Sequence, residues 1–503
     1  MIAPFRSRRR TPGWMRYLLC AVPLAAMLPA VANAAVTIAA AHTSNVTCTK
    51  GVCTPTQADA VLNYQWLENE LAKQKLTINT GSGALASQVQ NIVIAAPLTW
   101  ASANSLTLNA YQSITVTSPV SLAGSGGLTL ITNDGGSGGA LSFAPKGSIS
   151  FLSTANALTI NGASYTLANS LAALASDMNA NTNGHYALSA SYNAGPDGTY
   201  TGTPVSSFAG TVEGLGNAIT NLTMNGTSVG LVTSNTGLIE NLRLVDIVET
   251  KSTQNSPEVG VLVSVNTGQL IGDSVTGTLT AKGFVLYVGG LVGVNEGGAN
   301  NGGVVSRCSS DIVLHVAANT QTPRVGGLVG SNADSADLEY SYSAGLIDIS
   351  GTGTVFAGGL VGGEGFGATN SYSTARITVA QAVNGAAGGL IGDLEPTETN
   401  NPVIEASLSY STGSVSGAGL NYIGGSIGRV EDTAQYYYLY WDTTTSGTNQ
   451  NVGTCGVNSC ADIVGLTTSQ LQAGVPPYFE PTIWAVNPKI NGGLPYLIAN
   501  PPN

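Results

Sequence analysis

Residues that could do chemistry are sparse in this chain of 503 residues, in which only 9% of side chains are charged. The three histidines, His42, His185 and His315, are scattered. No His-Glu-x-x-His spacing places two imidazoles on one helix face for zinc with a glutamate beside them as base. Asp246, Asp273, Asp311, Asp348 and Glu364 are the carboxylates that could line a polysaccharide-cleaving wall. Glycosidic hydrolysis needs two carboxyl groups held about 5–10 Å apart, and these five recur in no shared register. The basic neighbours a lyase needs are few. Glu395, Glu398, Glu431 and Asp432 fall in polar segments and read as solvated turns. No histidine lies near the glycine pattern of a nucleophile elbow. The sequence therefore assigns no catalytic, cofactor-binding or metal-ligating residue, and the chain reads as a non-enzyme.

One glycine-rich stretch, Gly135 to Leu141, has the spacing of a calcium-binding nonapeptide, but Ala140 stands where the ligand aspartate must be. It reads as a flexible corner.

Residues 1–34 read as an export signal. Arg6, Arg8, Arg9, Arg10 and Arg16 form its basic part and Tyr17 to Leu28 its apolar part. Ala32-Asn33-Ala34 is a small-x-small site that places cleavage between Ala34 and Ala35. The apolar part, broken by Pro23 and Pro29, is too short to span a bilayer, so no transmembrane anchor is expected. In an exported chain the two Cys-x4-Cys pairs read as local disulfides, Cys48 with Cys53 and Cys455 with Cys460. Cys308 reads as a buried free thiol, in the place where neighbouring repeats carry tyrosine. Cleavage leaves 12 basic and 28 acidic side chains, a net charge of −16. Phosphate binding needs basic stripes that such a chain lacks, which excludes nucleic acid as a partner.

The elements that would position any site come from a repeat. Val288-Gly-Gly-Leu-Val-Gly293 returns at Val325, Ala357, Ala387 and Ile423, with weaker forms at Val229 and Val259, at intervals of 29 to 37 residues. Short runs rich in Val, Ile, Thr and Tyr, among them Ser341-Tyr-Ser343 through Ile349, alternate with Gly and Asn and predict strands joined by tight corners. A unit this small buries its apolar face only by stacking on the next, so the repeat predicts a solenoid. The Gly-Gly pairs are expected to supply positive φ and room for close backbone approach. Asn266, Asn295 and Asn332, each seven residues after its leading valine, are expected to hydrogen-bond up the stack as a ladder. From Thr77 to Leu167 the rhythm differs, with Leu106-Thr-Leu108, Gly127-Leu-Thr-Leu-Ile131 and Leu158-Thr-Ile160 giving period-two alternation. Gln57 to Lys75 predicts an amphipathic helix over the open N-terminal end, and Asn169 to Asn179 a shorter helix between the two strand regions.

The units from Val229 to Trp441 resemble the GLUG repeat, a Gly-Leu-rich motif of bacterial surface proteins that also accompanies some IgA-cleaving metallopeptidases. The stretch with Leu98-Thr-Trp100, Leu106-Thr-Leu-Asn-Ala110 and Leu158-Thr-Ile-Asn-Gly162 resembles the repeats of filamentous haemagglutinin-like exoproteins, without their long secretion domain. These resemblances imply a cell-surface or secreted context and no particular chemistry.

Together these readings predict an all-β chain, a right-handed parallel β-helix in one elongated column with short helical caps. Its parts are the signal 1–34, an N-terminal cap 35–76, haemagglutinin-like coils 77–168, a transition 169–228, GLUG-type repeats 229–442 and an aromatic, proline-punctuated C-terminal cap 443–503. The expected function is extracellular adhesion or recognition. The expected partners are glycans or surface proteins of host or neighbouring cells, and an outer-membrane secretion partner. A carbohydrate-active enzyme and an inert surface spacer are the alternatives.

Overall fold

The structure, a computed structural model, describes residues 34–502 apart from 82–87, 227–229, 254–257, 284, 298–301, 319–321, 334–335, 352, 365–367, 396–403, 432–433, 456–459 and 461. The basic and apolar parts of the export signal, Val229, Glu398 and Asp432 lie outside the described residues, as does the side chain of Glu364.

Strands pair in parallel from coil to coil, making an all-β parallel β-helix. The logic is plainest in Leu76–Asn79, Leu106–Asn109, Leu128–Ile131 and Leu158–Ile160, which stack without a slip. Leu76, Leu106, Leu128 and Leu158 superpose and are buried, as do Ile78, Leu108, Leu130 and Ile160. The threonines between them, Thr77, Thr107, Thr129 and Thr159, are half-buried on the outer face. A slip of one residue would exchange every leucine for a threonine in the core, which fixes the register.

The coils form two stacks, which corrects the expectation of one column. One core runs from Val36 to Ile160 and the other from Ala168 to Ile463. Where they meet, Leu158–Ile160 and Ala163–Ala168 pair antiparallel across Asn161 and Gly162, whose φ values of 48° and 85° are those of a type I′ hairpin turn. Ala163–Ala168 then pairs in parallel with His185–Leu188. Core face switches along with direction. Leu167 and Ala187 pack into the first core, while Ala168, Tyr186 and Leu188 pack into the second. Reversing the strands and changing the face together preserve the hand of the winding, so the coiling resumes on the other side of the shared sheet.

In the second stack the paired glycines are needed for space alone. None of Gly289, Gly290, Gly326, Gly327, Gly358 and Gly359 has positive φ, contrary to expectation. A Cβ on Gly290 would lie 2.2 Å from the Gly327 oxygen on the next coil, and one on Gly327 would lie 2.1 Å from that of Gly359. The left-handed residue falls at a different corner, one per coil, at Asn241, Arg307, Tyr340, Asn370, Leu408 and Tyr438, with φ between 46° and 56°. The alignment of these corners places Cys308 beside Ser341 and Ser309 beside Tyr342. This moves Cys308, a buried free thiol, one position from the tyrosine register expected.

Asn235, Asn266, Asn295 and Asn332 form a fully buried ladder, each Nδ2 donating to the next Oδ1 at 2.8, 2.7 and 2.7 Å. It is one rung longer than the spacing suggested. The disulfides Cys48–Cys53 and Cys455–Cys460 are both formed, the first across a hairpin.

The helix near the N-terminus, α1 (Tyr64–Leu71), is shorter than expected because Ala60–Asn63 is spent on a strand paired with Ala34–Ala39. Asn63 caps it by accepting from Trp66 N. It covers an open strand edge: Glu68 Oε1 accepts from Thr99 N at 2.7 Å, where a preceding coil would have offered a carbonyl. The junction helix α2 (Leu171–Ala180), capped by Ser170, lies against Val205–Phe208, the first strand of another wall. Among the described residues no helix is long and apolar enough to cross a membrane.

Past the last coil, α3 (Thr468–Ala473) opens a tail that runs back along the outside of the repeats. Tyr440 OH donates to Pro477 O, Trp484 Nε1 to Asn370 Oδ1, and Asn500 Nδ2 to the oxygens of Tyr340 and Cys308. Phe479, Trp484 and Leu497 thereby cover a column of tyrosines, Tyr342, Tyr372, Tyr410 and Tyr440, that faces outward from four successive coils.

Candidate functional site

The carboxylates singled out from sequence do not converge. Asp246 and Asp311 are exposed on one outer wall, and Asp348 meets His315 there at 3.3 Å. Glu364 continues the register of Asn332. His185 lies against the Tyr165 ring, 5.4 Å between centroids. Asp273 is the exception: it is fully buried at a corner, and its Oδ1 accepts from Leu242 N at 2.9 Å.

Near Asp273 the coil register brings together a pair that sequence reading missed, Glu213 above Glu240. Glu213 is on the sheet face that the first stack covers, so it is completely buried. It accepts from Leu215 N at 2.7 Å and from Asn241 Nδ2 at 3.1 Å. Burial, reinforced by the charge of Glu240, pushes its carboxyl well above the usual range, and burial raises Glu240 too. Two acids so placed titrate as a coupled pair. Because the first stack seals Glu213, the pair cannot straddle a polymer.

A second cluster spans two adjacent walls. Asp393 and Arg429 are register partners, joined through Arg429 Nη2 at 2.6 Å; Arg429 also meets Glu431 at 3.1 Å, and Arg324 meets Glu395 at 2.6 Å. Both guanidiniums lie over the Phe356 ring, at 5.5 and 4.7 Å. Burial pushes the Asp393 carboxyl up to about 7 against the opposing pull of Arg429. The oxygens of Asp393, Glu395 and Glu431 lie close enough to hold a cation. The two arginines pair with all three carboxylates, so the cluster is an ion-pair clasp between walls. Glu395 and Glu431, expected as solvated turns, belong to it. The signal for it was present in the sequence, since Asp393 and Arg429 follow the same six-residue phrase in consecutive repeats.

The tail completes a third arrangement, an exposed group of tyrosines at the C-terminal end. Tyr437, Tyr438 and Tyr478 are 38%, 39% and 66% exposed. The Tyr438 and Tyr478 rings stack at 4.0 Å, and Tyr437 lies 6.4 Å from Tyr438. Tyr438 and Tyr478 both have left-handed backbone, φ 55° and 67°, where a bulky side chain costs about 1–2 kcal/mol relative to glycine. Both rings stay exposed at these positions and stack on each other rather than entering the core. The neighbouring Tyr440, whose hydroxyl anchors the tail, is pushed up to about 12 by burial. Flat apolar rings with hydroxyl rims suit the CH faces and hydroxyls of sugars.

Comparison with known proteins gives a thin context. No protein-family model matches the chain. Over 213 residues it is 28% identical to Halomucin of Haloquadratum walsbyi, a match covering 38% of this chain and 2% of that protein. Among solved structures, a Bacteroides ovatus chain provisionally described as an immunoglobulin A1 protease superposes with a TM-score of 0.40 at 16% identity, over 67% of this chain and 93% of that one.

Proposed function

We propose that the chain is an exported, cell-surface β-helical recognition protein of GLUG-repeat type that binds saccharides without catalysis. The observation that carries this reading is the tyrosine group at Tyr437, Tyr438 and Tyr478, held exposed on strained backbone. The partial likeness to Halomucin supports a surface setting. The non-catalytic reading is supported by the sealing of Glu213 and by the pairing of Asp393, Glu395 and Glu431 with arginine. The experiment is retention of the protein, purified from Ala35 onward, on a glycan array and on whole cells, beside the double variant Tyr438→Ser, Tyr478→Ser. Binding by the parent that falls at least tenfold in the variant is the expected result. Absence of binding to every glycan and cell type overturns the proposal.

A further inference from the structure

The tail is held to the repeats by side-chain packing and hydrogen bonds. The nearer disulfide, Cys455–Cys460, closes before α3 begins and leaves the tail beyond it unsecured. Tyr438 stands at the corner that follows the strand Gln435–Tyr437, and Tyr478 stands on the tail, so contact between their rings joins the two parts.

Both tyrosines are fixed at the backbone and exposed at the ring. Leu439, next to Tyr438, is fully buried and its N–H donates to Asp462 O. Tyr478 lies between Pro477, whose oxygen accepts from Tyr440 OH at 2.7 Å, and Phe479, which is buried against Tyr440 and Trp484. The two rings held out by these anchors have centroids 4.0 Å apart and planes 24° from parallel. A modest turn of two exposed side chains brings the carbons ortho to their hydroxyls together. Holding reactants in this way turns an encounter between molecules into a step within one, at effective concentrations that reach about 10⁵ M or more in well-oriented cases.

The other tyrosine contacts lack one condition or the other. Tyr342, Tyr372 and Tyr410 stack at 5.0 and 5.1 Å, but they are buried beneath the tail, out of reach of an oxidant. Tyr437 is exposed, but its ring is 6.4 Å from that of Tyr438 and tilted by 47°, and its hydroxyl donates to Gln435. Tyr440 is buried and its hydroxyl is committed to Pro477 O.

We propose that Tyr438 and Tyr478 are a site of oxidative cross-linking, joined as dityrosine by a one-electron oxidant that draws on hydrogen peroxide. Each side chain gives up one electron and its hydroxyl proton and becomes a phenoxyl radical, whose unpaired electron is shared with the ortho carbons. The two radicals form a single bond between one Cε of each ring. Each of those carbons then releases its hydrogen as a proton while the ring oxygen takes one back, which restores both phenols. In all, the pair loses two electrons and two protons, which convert one hydrogen peroxide to two waters. The bond fastens the tail over the buried tyrosine column. This modification goes beyond saccharide recognition and does not depend on it.

The test uses the chain from Ala35, dilute enough to disfavour collisions, treated with hydrogen peroxide and a haem peptide small enough to need no docking surface. The product is denatured, its disulfides are reduced, and it is cut before Asp442 and Asp462, which separates Tyr438 from Tyr478 unless they are joined. The expected product is a monomer lighter by two hydrogen atoms, with dityrosine fluorescence and a linked pair of peptides that carry these two residues. Total dityrosine should fall at least tenfold in Tyr438→Phe and in Tyr478→Phe, which keep both rings and the fold, and change less than twofold in Tyr437→Phe. Trp484→Ala, which frees the tail, should lower it at least fivefold. A yield unaltered in Tyr438→Phe or in Tyr478→Phe, coupling only between separate molecules, or no dityrosine at all overturns the proposal. An undiminished yield in Trp484→Ala overturns it as well, because the docked tail then does not place the pair.

Discussion

The ring of Tyr372 lies 5.1 Å from that of Tyr410 on the next coil, within 7° of parallel. The two belong to the outward column that would be an exposed aromatic stripe if the tail did not cover it. Trp484 meets both rings at a steep tilt, 57° at 6.0 Å and 61° at 5.8 Å. The tail and the tyrosine column are therefore one interface, formed by residues up to 155 positions apart in the chain.

Trp484→Ala should detach the tail without unfolding the stack. Loss of a buried tryptophan costs about 3–5 kcal/mol, and in a solenoid the loss stays local because each coil is held by its neighbours. Limited proteolysis should cut after the last coil, while hydrogen exchange of the Asn ladder amides stays slow. Simultaneous loss of protection throughout the repeats would contradict this account.

Asn295→Ala removes one rung from the middle of the ladder. Asn266 Nδ2 loses the acceptor 2.7 Å away, and Asn332 Oδ1 loses its donor from Asn295. Each hydrogen bond lost between buried groups costs about 0.5–1.5 kcal/mol, so the denaturation midpoint should fall by more than for a surface Asn→Ala change. Equilibrium urea unfolding of the two variants side by side measures the difference.

Stability should have a minimum near pH 8. Glu249 and Lys251 both point into the second core and are fully buried. Burial pushes the Glu249 carboxyl up to about 8 and the Lys251 amine down to about 8. Between about pH 5 and 8 the unfolded chain binds fewer protons at Glu249 than the folded one, so stability falls as pH rises. From about 8 to 10 the unfolded chain binds more protons at Lys251, and stability rises again. Glu249→Gln should make the descending limb shallower, since Glu213, Asp273 and Asp393, whose carboxyls burial also raises, contribute to it, and should leave the ascending one, which melting temperatures from pH 5 to 10 will show. A descending limb as steep in E249Q as in the parent would assign it to those groups alone.

Reducing the disulfides should loosen only the ends. Cys48–Cys53 closes a hairpin and Cys455–Cys460 joins the last coil, each with a sequence separation of 5. Loops that short are worth about 2 kcal/mol in chain entropy. Reductant should therefore accelerate amide exchange near Cys48 and Cys455 and leave the central coils unchanged.

Much of the fold was legible because a solenoid writes its structure as periodicity. The stacked leucines from Leu76 to Leu158, the glycine phrases and three of the four ladder asparagines follow directly from spacing. What escaped was set by contacts between distant segments. Asn161-Gly162 is a strong hairpin signal, yet set among similar strands it read as one more repeat, and so the reversal between stacks was missed. Asn235 escaped because its repeat is one residue short. The Glu213–Glu240 pair needed coil register, which strands of uneven length conceal. The tail was visible as an aromatic segment, but nothing local says that Trp484 will reach back to Asn370. The ends of α1 were misjudged because Ala60–Asn63 gains more by pairing with Ala34–Ala39 than by extending a helix.

The reversal at Asn161-Gly162 also determines how the rod bears load. Elsewhere a coil is tied to the next by several walls at once, so tension along the axis is shared. At the seam the two stacks lie on opposite faces of one sheet, and Leu158–Ile160 meets Ala163–Ala168 through three residue pairs. Further ties cross the seam: Ile149 N and Phe151 N donate to Leu215 O and Ser189 O, Asn217 Nδ2 donates to Ile149 O, and Arg243 reaches across to Ala144 and Pro145. A pull on the two ends is therefore offset across the sheet and becomes a shear at this place. The molecule should yield first at this seam, as two intact stacks of unequal length that part and can dock again.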